Sequence, residues 1–246
     1  MRKINLIKFD INYNILKKPV ILVYLYLFPI VLFYLLSKIT AGNFSREITS
    51  LQYYGLNILI YFQLTMGTMV SNMIMEESVK LPNMRISYAF SNENYIYVSK
   101  IIALTLMNSL SILFYMLFLM FVYKINFGAN PVVLFSSYNV VGFLSICLGT
   151  VLCIALKDES LCNNILGVVQ ILICIFGGIF FPVSYLGNFG RTLSKISIAN
   201  WINLGVGQYV FEDNTQLLFV ICILSLIFSI ILLLIARKLF KIEEFL

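Results

Sequence analysis

The sequence predicts an all-α polytopic membrane protein with six transmembrane helices. Three observations predict it. Six apolar runs of span length contain no Lys, Arg, Asp or Glu. Hydrophobic residues make up 61% of the chain and charged residues 11%, where a soluble domain carries about 25% charged residues. The basic residues between the runs are also distributed unevenly from one side to the other. A span needs roughly 20 apolar residues at about 1.5 Å rise each. The predicted spans are Pro19–Ser37, Tyr53–Met75, Ile101–Tyr123, Pro131–Leu156, Leu161–Phe181 and Gln216–Ala236. A charge at a span centre costs on the order of 2.5–3.5 kcal/mol, so charge-free runs suit contact with lipid or with one another.

Residues 1–18 precede the first span and carry Arg2, Lys3, Lys8, Lys17 and Lys18. As a helix, this segment places Ile4, Ile7, Ile11 and Ile15 on one side and Leu6, Phe9, Tyr13 and Leu16 on the other. Two opposed stripes suit a helix lying between the bilayer and a second protein surface. Alternation at Phe9, Ile11, Tyr13 and Ile15 would also suit a strand. Basic interfacial helices are common beside a first span, and we read a helix. The first span starts too late, and is too long, for a cleaved signal peptide. The five basic residues before it are expected to keep the amino terminus in the cytoplasm, and an even number of spans returns the carboxyl terminus to the same side. Outer segments hold Lys38, Arg46, Lys124, Arg191 and Lys195, and the rest of the 17 basic residues lie inside. The net charge of +6 then reflects topology and anionic lipid contact rather than nucleic-acid binding.

Residues 76–100 form the largest inner loop, with Glu76, Glu77, Lys80, Arg85, Glu93 and Lys100 balancing in charge. Pro82 after Leu81 is placed to start a short helix. Asn83, Met84, Ile86, Ser87, Tyr88 and Phe90 put apolar and aromatic groups on an aqueous side. They suit either a protein partner or folding against the chain's own spans. The turn Lys157–Ser160 separates spans four and five, with Asp158 or Ser160 capping span five.

Residues 177–210 are the most distinctive. Gly177 and Gly178 permit a bend or close backbone approach, and Pro182 is expected to interrupt the helix. Leu186, Phe189, Leu193 and Ile196 then recur at helical spacing, with Arg191 and Lys195 on the polar side. Trp201 is the single tryptophan, in an interface-like setting. These features predict an outer re-entrant or surface-lying helical hairpin over 182–212, with a plain outer loop as the alternative.

Reactive side chains are scarce. Histidine is absent, which removes His-based zinc sites and His-activated nucleophiles. Cys147, Cys153, Cys162, Cys174 and Cys222 lie in or beside spans without metal-ligand spacing, and read as packing residues. Coupling to an ion gradient usually leaves ionisable groups within the spans, and the sequence has no nucleotide-binding loop. Any uphill transport would draw its energy from a partner. Asn57, Gln63, Asn72, Asn108, Asn139 and Gln170 are candidates to line a path. For any one of them, hydrogen bonding between helices, worth about 0.6 kcal/mol, is the favoured reading.

Taken in order, these features resemble the type-2 permease subunits of ATP-binding-cassette exporters. The likeness rests on four places. They are Lys17-Lys18-Pro19 before a span containing Phe28-Pro29; Glu76-Glu77 followed by Arg85 and Lys100; Lys157-Asp158-Glu159; and Gly177-Gly178-Ile179-Phe180-Phe181-Pro182 before an amphipathic hairpin. Two departures are Ser87-Tyr88 and Ser91 where related loops often have a proline, and Asn200 before Trp201.

The resemblance implies one permease domain over 1–246 in a bacterial cytoplasmic membrane. Two such subunits, identical or related, would sit on separate ATPase subunits that hold ATP and Mg; this chain would hold no cofactor and perform no catalysis. Glu76, Glu77, Leu81, Pro82, Met84, Arg85 and Ser87 would couple to the ATPase through a short cytoplasmic helix, together with the amino-terminal helix. Gly177, Gly178, Phe180, Phe181, Pro182 and Trp201 would form an outer gate. The implied cargo is amphipathic or hydrophobic, an antimicrobial peptide (bacteriocin) or a drug. An energy-independent channel, or an immunity protein sequestering a toxin, is the alternative. A membrane enzyme lacks clustered reactive groups.

Overall fold

The computed structural model describes residues 2–43, 49–76, 78–79, 81–83, 85, 94–183 and 187–240. Among them every regular element is helical, and six helices are long and apolar enough to cross a membrane. The chain is an all-α polytopic membrane protein.

Helix α1, Arg2–Asp10, continues as a π-helical stretch over Ile11–Leu16. Lys18 is extended, as the residue before a proline must be, and Pro19 starts α2, Pro19–Ile39. Within α2 the backbone widens to a π-helix over Val23–Leu27, directly before Phe28-Pro29. Pro29 offers no N–H and crowds the carbonyl four residues back, at Leu25. The widened turn absorbs that conflict without breaking the span.

The other spans are α3, Ser50–Met75; α4, Tyr95–Tyr123; α5, Pro131–Leu156; α6, Glu159–Phe176; and α9, Gln216–Leu239. Between the last two lie α7, Gly187–Ser194, and α8, Ile198–Glu212. Side-chain caps set several starts: Thr49 accepts from the Gln52 N–H at 3.2 Å, Asn130 from Val132 at 3.1 Å and Asp158 from Leu161 at 2.9 Å. Asp158, rather than Ser160, is thus the cap of α6.

The helices run past the charge-free sequence runs, taking in Lys38, Lys100, Glu159, Arg237 and Lys238 near their ends. One boundary moves the other way. The fifth span, expected to reach Phe181 with Pro182 as its breaker, ends at Phe176. Gly178 adopts φ +71°, and the Ile179 N–H reaches back to the Cys174 carbonyl at 3.0 Å. The Gly178 N–H bonds the Ile175 carbonyl at 3.3 Å. That is a Schellman stop, which a glycine in the left-handed region adopts without a Cβ penalty. The helix has ended before Pro182 is reached.

Helix α3 is the hub. Within its apolar window 72% of residues are buried, against 22% for α9. Yet α3 is the least apolar span and α9 the most. Lipid is as apolar as leucine, so burial in a membrane selects polar and small residues that grip neighbouring helices. The chief partner of α3 is α5, whose other side carries α9; α2, α4, α6 and α8 complete the surround. One buried cluster, with Tyr54, Phe62, Tyr115 and Tyr138, lies towards the α7–α8 hairpin. A second, with Ile15, Met73, Tyr97 and Leu104, lies towards α1.

Candidate functional site

Three polar constellations stand out against this apolar background. The first lies at the α1 end. Leu6, Asp10 and Asn14 are buried and fall at four-residue steps along one helical line. Asp10 is 0% exposed and Lys100, on α4, is 1% exposed. The Lys100 ammonium donates to Asp10 Oδ1 at 3.0 Å, Asn14 Nδ2 to the same oxygen at 2.9 Å, and the Ser99 hydroxyl to Oδ2 at 2.5 Å. Both carboxylate oxygens are therefore occupied, as a buried charge requires. Nearby, Lys18 donates to Glu76, whose other oxygen accepts from Ser78 at 2.9 Å. Partial burial opposes ionisation of Glu76, but the bonds from Lys18 and Ser78 and the Lys18 charge outweigh it and hold its carboxyl below the ordinary range.

The second constellation is a ladder of uncharged groups along α3. Asn108 on α4 donates to Gln63 at 2.7 Å. Ser145 on α5 donates to the Leu64 carbonyl at 2.5 Å and accepts the Gly67 N–H at 3.0 Å. Gln170 on α6 donates to the same Leu64 carbonyl at 2.7 Å. Towards α1, Ser71 donates to Asn163, which donates to Asn72, both at 2.5 Å. Gly142 makes room for the upper rung, since a Cβ there would lie 2.3 Å from Gln63 Oε1. Asn108 Oδ1 and Asn57 Oδ1 are buried without a partner.

The third is the turn after α6. Its carbonyls have left the helix and need donors. Tyr53 donates to the Gly178 carbonyl, and Tyr54 to Phe180 at 2.8 Å. Asn203 reaches the Gly177 and Gly178 carbonyls, each at 3.3 Å, and Ser197 the Ile173 carbonyl at 2.7 Å. Gly177 lets α8 close in: a Cβ on it would lie 2.5 Å from that of Ala199. The start of α8 thus lies beside the last turn of α6, while Tyr209 near its other end clamps Asn130 through bonds of 2.8 and 2.9 Å. On α7 the protein-facing residues are Gly190 and Ser194, and the aromatic Phe189 is 76% exposed. Ile196, in the turn beyond, is 80% exposed. Leu186 lies outside the described residues.

Gln63 and Asn108 meet each other, Asn72 meets Asn163, Gln170 meets α3, and Asn139 accepts from Ser109 at 2.5 Å. Asn57 lies beside the Tyr53 hydroxyl. Leu81 and Arg85 are exposed, and Pro82 is half-buried. Residues 78–79, 81–83 and 85 are helical, while Glu77, Met84 and Ser87 lie outside the described residues. Gly177 and Gly178 build the turn, Phe180 packs on Tyr61 at a centroid distance of 5.2 Å, and Phe181 and half-buried Pro182 follow. Trp201 is half-exposed and its indole N–H bonds the Lys195 carbonyl at 2.9 Å.

Sequence reasoning passed over Asp10, Ser99, Tyr53, Tyr54 and Asn203. Asp10 carried a signal, as the lone acid of a basic segment on a line with Leu6 and Asn14. Among the described residues no group of three His, Cys, Asp or Glu side chains is placed to hold a metal. Comparison of the chain with family models, curated proteins and solved structures finds no match.

Proposed function

We propose that this chain is the membrane subunit of an ATP-driven exporter, a permease of the type-2 ATP-binding-cassette kind. It moves an amphipathic or hydrophobic cargo, a peptide antibiotic or a drug, out across a bacterial cytoplasmic membrane. Two permease subunits sit on separate ATPase subunits, with both chain termini on the cytoplasmic side. The observation that carries this reading is the interrupted α6: a short span stopped at Gly178, then a turn anchored to α3 by Tyr53 and Tyr54, then the α7–α8 hairpin. The run Gly177–Pro182 before this hairpin is the most specific of the places where the sequence resembles that family. The middle of the bundle adds support, because it offers amides and hydroxyls rather than groups able to carry a driving ion.

In this reading ATP-driven closure of the ATPase pair pushes on α1 and on the exposed Leu81 and Arg85. The spans tilt about the α3–α5 seam, and the anchored hairpin shapes the exit. Uncharged, aromatic-rich helices suit a cargo that partitions from the bilayer.

The test is purification with native partners and reconstitution in vesicles. An ATPase should copurify, and cargo should move only with ATP. Pro82→Gly and Arg85→Glu should leave insertion intact and lower cargo-stimulated ATP hydrolysis. A nucleotide-free subunit that concentrates cargo against a gradient would overturn the proposal.

A further inference from the structure

Two ion pairs of unequal burial join the amino-terminal segment to the two flanks of the 76–100 segment. Asp10 meets Lys100, in the second turn of α4, and Lys18 meets Glu76, immediately after α3. The chain is helical from Asp10 to Leu16, and the turn at Lys17 with extended Lys18 separates that helix from the second attachment point. The attachments differ in strength. The Asp10–Lys100 side chains are 1% and 2% exposed, with Asn14 and Ser99 completing the carboxylate shell. The Lys18–Glu76 side chains are 25% and 37% exposed. Opening the first strands a charge in an apolar setting, whereas opening the second returns both groups to water. Packing has the same bias: Leu6 and Ile15 are buried, and α1 packs on α4.

We propose that α1 and α4 move as one rigid body, with Asp10 and Lys100 as positioning residues, and that Lys18–Glu76 is the releasable joint between this body and α3. Displacement of α1 is carried by the buried clamp into α4 and opens the less buried pair first. Relative motion of α3 and α4 is then confined to the Glu76 side. The role of this joint in coupling rests on the permease reading; the rigid body itself does not.

Amide hydrogen exchange on the full chain in lipid nanodiscs tests it. Asp10→Asn should speed exchange over residues 2–16 by about a hundredfold or more, with α3 and α5 unchanged. Glu76→Gln should speed exchange at 76–79 and leave 2–16 protected. Exchanging the charges, Asp10→Lys with Lys100→Asp, should restore protection of α1. The inference falls if Asp10→Asn leaves 2–16 protected, if Glu76→Gln loosens α1 equally, or if the exchanged pair is as loose as the single variant. Should Asp10→Asn fail to insert, insertion of the exchanged pair supports the clamp and its failure overturns it. If exchange responds as expected but no ATPase copurifies, the rigid body stands and the permease reading falls.

Discussion

Gly149 of α5 lies against Gly67 of α3 so closely that a Cβ on Gly149 would come within 2.1 Å of the Gly67 carbonyl oxygen. The obstacle is backbone, which cannot swing aside as a side chain would. One helical turn away, Ser145 exchanges hydrogen bonds with the Leu64 carbonyl and the Gly67 N–H. Close approach and polar grip therefore coincide, as they must where no hydrophobic force drives helices together.

Gly149→Ala should force α3 and α5 apart and destabilise the bundle by about 1–3 kcal/mol, the usual cost of overpacking. Thermal unfolding in detergent measures it. Gly167→Ala, at a position with open space around it, is the control and should change little. Equal effects of the two would remove the seam from the account.

Gly178→Leu introduces a side chain at φ +71° and about 2.8 Å from Val183 Cγ2. The left-handed conformation alone costs roughly 1–2 kcal/mol. The Schellman bonds should weaken, seen as faster exchange of the Ile179 N–H, and transport should fall. Wild-type transport together with unchanged exchange would show that the turn has no such role.

The Gln63–Asn108 pair separates a structural role from one in the path. Gln63→Leu should cost on the order of 0.6 kcal/mol if the bond between helices is its whole contribution. Cargo selectivity should then stay unchanged. Altered selectivity with unchanged stability would instead place these amides in contact with cargo.

The Lys18–Glu76 pair predicts a pH dependence of defined sign. The folded-state pKa of Glu76 lies below its ordinary 4.5. Its contribution is therefore present above that value and disappears as pH falls through the folded pKa. Hydrogen exchange at 76–79 should accelerate in that acid window, and Glu76→Gln should abolish the acceleration. An unchanged pH response in Glu76→Gln would assign it to another group.

What the sequence determined by itself is the set of spans. A run such as Gln216–Ala236 has to satisfy every backbone group internally once it meets hydrocarbon, and a helix does so without a partner. The π-helical stretch before Pro29 and the turn at Gly178 also follow from local chemistry: a missing N–H and a missing Cβ. Only the tertiary structure decided which polar residues meet. Asp10 and Lys100 are 90 residues apart, and hydropathy ranks Gln63, Asn163 and Gln170 alike wherever they point. The pairing of Gln63, Asn163 and Gln170 depends on how α3 is rotated against its neighbours, where Gly67 and Gly149 allow close backbone approach. That contact depends on two distant glycines at once, so no local pattern announces it.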